Sequence, residues 1–144
     1  MPRTVHRSRD HIWSIAANLA HPNQPVIAVC GDGGFLFTAT ELETAVRIGC
    51  RFVLLIWDSQ SYDMVEFQEQ AHYGRVSGIK LGHYDAVKFA ESFGCKGYVV
   101  TDSETFREVL EDALQQTVPA VIQIPIDYSD NIKLMQNIHQ SFIH

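Results

Sequence analysis

The sequence predicts an α/β domain of three layers built around a mostly parallel central sheet, and three observations predict it. Short apolar, β-branched runs at residues 26–30, 52–57, 98–101 and 120–124 alternate with segments of helical period, the pattern left by strand-helix-strand crossovers. The first two runs are apolar almost throughout, as in strands covered on both faces, which places them centrally in the sheet. A glycine-rich or polar turn follows each of these two, and in a parallel sheet such turns gather at one edge. A length of 144 residues suits one domain with a single core, read here as residues 11–144 behind an N-terminal arm at 1–10.

Taken in order, residues 11–20 predict a helix packed on the sheet, with Trp13 in the core and a stop at His21-Pro22-Asn23. After the strand at 26–30, Thr38 and Glu41 form a T-x-x-E capping box ahead of Leu42, Ala45 and Val46, and Gly49 ends that helix. Beyond the strand at 52–57 the pattern weakens over residues 64–81, where Gly74 and Gly78 accompany polar residues, predicting a short helix and then a mobile loop. Ala86, Phe89, Ala90 and Phe93 make the next apolar stripe, with Asp85 as N-cap and Gly94 at the stop. A last helix carries Phe106, Val109, Leu110, Ala113 and Leu114 behind Asp102 or Ser103. These stripes read as core, because three or four apolar positions per two turns are what a surface helix buries.

Composition removes several function classes. A net charge of −6, from 11 Lys and Arg against 17 Asp and Glu, speaks against a broad nucleic-acid-binding face. The one basic cluster, Arg3, His6, Arg7 and Arg9, reads as a truncation scar, with an arm or an amphipathic targeting segment as alternatives. Cys30, Cys50 and Cys95 are odd in number and contain no CxxC, so they predict buried thiols in a reducing, cytoplasmic compartment. The longest apolar run, residues 52–57, is far short of a membrane span. The seven histidines include no H-x-x-x-H pair, and no GxSxG elbow is present, so neither a zinc site nor a serine hydrolase is predicted.

The chemistry gathers at the strand ends. Gly31-Asp32-Gly33-Gly34 follows the first strand, where glycines let main-chain N–H groups approach a phosphate closely. Asp32 is then a natural hard-oxygen ligand for a Mg²⁺ ion bridging to that phosphate, although a tight turn explains the motif equally well. Asp58-Ser59-Gln60-Ser61 follows the adjacent strand, and two loops at neighbouring strand ends can share one ion. Asp32 and Ser59 lie 27 positions apart.

That spacing, together with the stretches GDGGFLFTATELETAV, FVLLIWDSQSYDMVEFQEQ, AESFG and PAVIQIPIDY, resembles the thiamine diphosphate (ThDP) enzymes, and within them the catabolic, flavin-free acetolactate synthases. The resemblance covers about residues 11–135 and leaves the arm at 1–10 unmatched. It implies a pyrophosphate-type ThDP module in which Mg²⁺ is held by Asp32, by Ser59 and by the main-chain carbonyl of Ser61. It implies cofactor contacts from Gly31, Gly33, Gly34, Gln60, Tyr62 and Met64 as well, and a substrate side at Val65 and Gln68. Relatives carry Asn-Asn or Asp-Asn where this chain has Asp58-Ser59, which leaves three readings open: Ser59 ligates through its hydroxyl, Asp58 replaces it, or the site is weakened.

The reaction implied is the joining of two pyruvates to acetolactate and CO₂. The glutamate that activates the cofactor lies, in relatives, on a separate N-terminal module, usually of a partner subunit. No residue here matches it: Glu41 falls in the capping box, and Glu66 and Glu69 read as a solvated helix face. The expectation is therefore the diphosphate half of a site, inactive alone and completed in a homo-oligomer or by a partner subunit. The alternatives are a module of another ThDP decarboxylase or carboligase, and a non-catalytic domain that self-associates.

Overall fold

The structure, a computed structural model, describes residues 3–6 and 10–128, and side chains from residue 12 onward. Five strands form one sheet: β1 (Arg3–His6), β2 (Val26–Gly31), β3 (Val53–Asp58), β4 (Lys96–Val99) and β5 (Ala120–Pro125), in the order β1-β2-β3-β5-β4. Every neighbouring pair is parallel. The expected mostly parallel α/β fold is therefore present, and residues 3–6 form its outer strand beside β2.

Each inner strand divides its side chains between two cores by simple alternation. Ala28, Cys30, Leu54, Ile56 and Val121 face one side, where they pack with Phe35, Leu42, Ala45, Ala86 and Ala90. Val29, Val53, Leu55, Ala120 and Ile122 face the other, against Phe106, Val109, Leu110 and Ala113. Helices α1 (Asp10–Ala20), α2 (Asp32–Thr38), α3 (Glu41–Arg47) and α5 (Ala86–Glu91) thus cover the first face, and α6 (Ser103–Leu114) the second. This is why the runs at β2 and β3 are apolar without alternation in the sequence. Helix α4 (Asp63–Tyr73) stands apart, with no buried residue, and ends where Gly74 takes a left-handed φ of 64°.

Three local expectations are corrected. Trp13 is not core but 54% exposed, because α1 turns Ser14 and Asn18 inward instead. Asn18 donates to the Arg51 carbonyl at 2.9 Å and accepts from the Arg51 N–H at 3.1 Å, tying the helix to the start of β3 by polar bonds. Thr38 and Glu41 do not open one helix as a capping box. Thr38 is the last residue of α2, which begins at Asp32, and α3 starts behind Thr40 without a side-chain cap. The cause is Phe35, fully buried, stacked with Tyr84 and edge-on to Phe89, which draws the residues after β2 straight into a helix. Finally, β4 starts two residues before the apolar run, since Lys96 and Gly97 pair with Ala120 and Val121. An outer strand needs a close backbone more than apolar side chains: a Cβ on Gly97 would sit 2.3 Å from Val87 of α5.

The N-caps expected at Asp85 and Asp102 are present, while α5 ends at Glu91, three residues before Gly94. Asp85 accepts from the Lys88 N–H at 2.9 Å, and Asp102 from those of Glu104 and Thr105 at 3.0 and 2.8 Å. The three cysteines are buried thiols outside any disulfide, and burial pushes Cys95 up to about 11. No described helix is long and apolar enough to cross a membrane.

Candidate functional site

The last register pair of β2 and β3 is Gly31 opposite Trp57, so Asp32 and Asp58 leave the sheet from adjacent strand ends. The two predicted loops therefore share the carboxyl edge, as parallel strands require. Asp32 is 3% exposed and is the first residue of α2. Its Oδ1 accepts from the Gly33 N–H at 2.7 Å, while its Oδ2 accepts from the N–H groups of Ser59 at 3.0 Å and Ser61 at 3.3 Å. Burial raises the Asp32 pKa, the Gly33 N–H opposes that rise, and the nearby charge of Asp58 adds to it. A carboxyl group is thus held in place, buried, with no cationic side chain among the described residues bonded to it.

Around this carboxylate the second loop arranges further oxygens. The Ser59 hydroxyl lies 3.3 Å from the Ser61 carbonyl oxygen and hydrogen-bonds the carboxylate of Asp63. Ser61 Oγ lies 3.0 Å from Glu66, which also faces Lys80 at 3.6 Å. Gln60 adopts a left-handed φ of 57°, unusual for a side chain of its size, and this tight turn points the Ser59 and Ser61 N–H groups the same way. Residues 79–81 brace the turn: Tyr62 donates to the Ile79 carbonyl at 2.9 Å and Leu81 to the Gln60 carbonyl at 3.0 Å.

Asp58 is engaged elsewhere. Its Oδ1 accepts from the Gln60 N–H at 3.2 Å and its Oδ2 from the Gln123 amide, so both oxygens are occupied. The Tyr62 ring lies on Gly33, where an added Cβ would come within 2.5 Å of it. Gly31 is exposed and Gly34 half-buried, one and two positions from Asp32 in sequence. Met64, Val65 and Gln68 are not drawn onto this cluster; they lie exposed on α4, where Val65 and Gln68 border a shallow hollow with His72 and Tyr73. A separate cavity of about 270 Å³, lined by Asn18, Arg51, Phe52 and Gln115, opens at the opposite edge of the sheet.

Sequence reasoning missed Asp63, Tyr84 and Gln123. The Tyr84 hydroxyl donates to the Asp32 carbonyl at 3.2 Å, and its pKa is raised by burial and by the charges of Asp32 and Asp58. No local signal marks Tyr84 and Gln123, which lie 52 and 65 positions from the residues they bond, whereas Asp63 follows Ser59 by four.

As a donor set, the Asp32 carboxylate, the Ser61 carbonyl and the Ser59 hydroxyl are hard oxygens, the kind that Mg²⁺ takes. Among the described residues no group of three or more His, Cys, Asp or Glu forms a metal cage. An ion here would therefore complete its shell from water and from a ligand's phosphates, the usual habit of Mg²⁺.

Residues 12–124 match the family described as thiamine pyrophosphate enzyme, C-terminal TPP binding domain. The chain is 46% identical over 122 residues to the acetolactate synthase of Bacillus subtilis (strain 168), covering 85% of this chain and 21% of that protein. It is 44% identical over 131 residues to the catabolic acetolactate synthase of Raoultella terrigena, covering 91% of this chain and 23% of that protein. In structure it is similar to a thiamine diphosphate-dependent 4-hydroxybenzoylformate decarboxylase of Rhodococcus jostii RHA1, with a TM-score of 0.72, 28% identity, and coverage of 81% of this chain and 23% of that one. The chain spans about a fifth of the length of the curated relatives it matches. With its fold, its strand-end loops and these similarities in agreement, the chain belongs to the C-terminal thiamine pyrophosphate-binding domains of the ThDP enzymes.

Proposed function

We propose that this domain binds the diphosphate of ThDP through Mg²⁺, as the C-terminal part of an enzyme that converts two pyruvates to acetolactate and CO₂. The observation that carries the reading is the buried Asp32 carboxylate, whose Oδ2 is fixed by two main-chain N–H groups of the neighbouring loop. In this reading Asp32, Ser59 and the Ser61 carbonyl hold the metal. Gly31, Gly33, Gly34 and Gln60 offer main-chain groups to the diphosphate, and Tyr62 and Met64 flank the cofactor. Val65 and Gln68 face the 2-oxo acid from the outer side of α4.

Bound ThDP supplies the carbon nucleophile and electron sink that decarboxylation of a 2-oxo acid requires. The chain's own part is to anchor the charged end of the cofactor and thereby aim its ring. The rest of the site comes from a second copy or from a partner carrying the remaining modules. Isothermal titration with ThDP, with and without Mg²⁺, tests the reading: binding that needs the metal supports it, and absence of metal-dependent binding sinks it. The 144-residue polypeptide alone should give no acetolactate from pyruvate, ThDP and Mg²⁺.

The similarity to a 4-hydroxybenzoylformate decarboxylase favours a second reading, a module of another ThDP decarboxylase. Product analysis with pyruvate, in the presence of the remaining modules, separates the two: acetolactate supports the first, and an aldehyde the second.

A further inference from the structure

We infer that Asp63 is a positioning residue for Ser59: it accepts a hydrogen bond from the Ser59 hydroxyl, so that this oxygen turns its lone pairs toward a divalent cation shared with Asp32 and the Ser61 carbonyl. The inference rests on the metal reading proposed above and explains how a serine serves there.

A hydroxyl has one proton to donate and two lone pairs. Two acceptors lie within reach of Ser59 Oγ, the Asp63 carboxylate and, at 3.3 Å, the Ser61 carbonyl. Charge-assisted bonds are roughly twice as strong as neutral ones, so the hydroxyl donates its hydrogen bond to Asp63. Ser59 Oγ and the Ser61 carbonyl oxygen then face each other across 3.3 Å with no hydrogen between them. Two bare oxygens so placed repel, and a cation between them reverses the sign. Neighbouring oxygens on an octahedral Mg²⁺, each about 2.1 Å from the ion, stand about 3 Å apart, so the observed gap needs to close only slightly. The Asp32 carboxylate lies against the same loop, its Oδ2 receiving the N–H groups of both serines.

Asp63 is well placed for this. It is the first residue of the eleven-residue helix α4, where the helix dipole favours a negative charge, and the N-cap of that helix is Tyr62, which makes no side-chain cap bond. Its carboxylate is free to serve the loop instead of the helix end. A neutral hydroxyl alone is a weak ligand; one bonded to a carboxylate is polarised and held in one rotamer. Outer partners of this kind are typically worth about 10–100-fold in metal affinity.

The test is a two-by-two set in the 144-residue chain: wild type, Asp63→Asn, Ser59→Asn, and both together, with Asp32→Ala as the site control. Mn²⁺ binding in the presence of ThDP is followed by electron paramagnetic resonance and by titration calorimetry, and far-UV circular dichroism checks the fold. Asp63→Asn should weaken Mn²⁺ binding about 10–100-fold when Ser59 is intact. In the Ser59→Asn background it should change binding less than about threefold, because an amide oxygen ligates without a proton to hand on. Equal losses in both backgrounds, or no loss in the first, would overturn the inference while leaving the metal site standing. Failure of the wild type to bind, or unchanged binding in Asp32→Ala, would overturn the metal reading itself and this inference with it.

Discussion

Gln123, on β5, donates its side-chain amide to Oδ2 of Asp58, at the end of β3, at 2.5 Å. With Oδ1 taken by the Gln60 N–H, the Asp58 carboxylate ties β5 to the Ser59 loop. Asp58→Asn should therefore change Mg²⁺-dependent ThDP binding little, since the role of Asp58 is to fasten the loop. Asp58→Ala leaves the Gln60 N–H and the Gln123 amide without their partner and should cost about 1–3 kcal/mol in urea unfolding. Severe loss of binding in Asp58→Asn alone would instead make Asp58 the ligand.

Asp32 gives a second expectation. Asp32→Asn retains an oxygen for the loop N–H groups but removes the charge that a hard dication needs. The variant should fold, as judged by circular dichroism, and show no metal-dependent ThDP binding in calorimetry. Wild-type affinity in Asp32→Asn would show that the site lies elsewhere.

At Gly33, steric room decides the outcome. A Cβ there would meet the Tyr62 ring at 2.5 Å, so either the ring or the start of α2 must shift. Overpacking of this kind typically costs about 1–3 kcal/mol. Gly33→Ala should therefore lower the thermal midpoint, and truncating the ring with Tyr62→Ala in the same chain should recover part of the loss. A fully additive double variant would show that the two positions do not meet.

The cap of α6 carries a pH signature. Hydrogen bonds from the Thr105 N–H and then the Thr105 side chain and the Glu104 N–H hold the Asp102 carboxyl below its ordinary value. A lowered carboxyl stabilises the fold above its unfolded pKa, about 3.9, and that contribution is lost as pH falls through the lowered folded value. Asp102→Ala should thus unfold at lower temperature than wild type at about pH 7, and the gap should narrow below about pH 4. A gap independent of pH would mean that the charge has no part in the cap.

Much of this was legible in the sequence because it is local. Gly31-Asp32-Gly33 and Asp58-Ser59 each follow an apolar run, and a parallel sheet brings such turns to one edge whatever the details of packing. Asp85 and Asp102 were legible as caps because a cap acts within three residues of itself. What could not be read depends on tertiary packing. Thr38 and Glu41 have the spacing of a capping box, but burial of Phe35 imposes a helix from Asp32 and overrides it. Trp13 has the hydrophobicity of a core residue, yet the rotation of α1 is set by the bonds of Asn18 to Arg51. Tyr84 and Gln123 reach the site from 52 and 65 positions away from the residues they bond, and no pattern along the chain marks such a meeting.

The strand order has a consequence for synthesis and aggregation. As the chain emerges from its N-terminus, Ser59 can reach Asp32 only 27 residues after it, once β3 is made. β4 appears next but, among the described strands, pairs only with β5, so it must wait for a strand that follows it. Until β5 arrives, the Val53–Asp58 strand, VLLIWD, keeps one edge unpaired, and a free apolar edge of this kind invites pairing with another chain. The loops at the carboxyl edge are thus the early half of the domain, and β5, with Gln123, is the strand that shuts a sticky edge before a neighbouring nascent chain can use it.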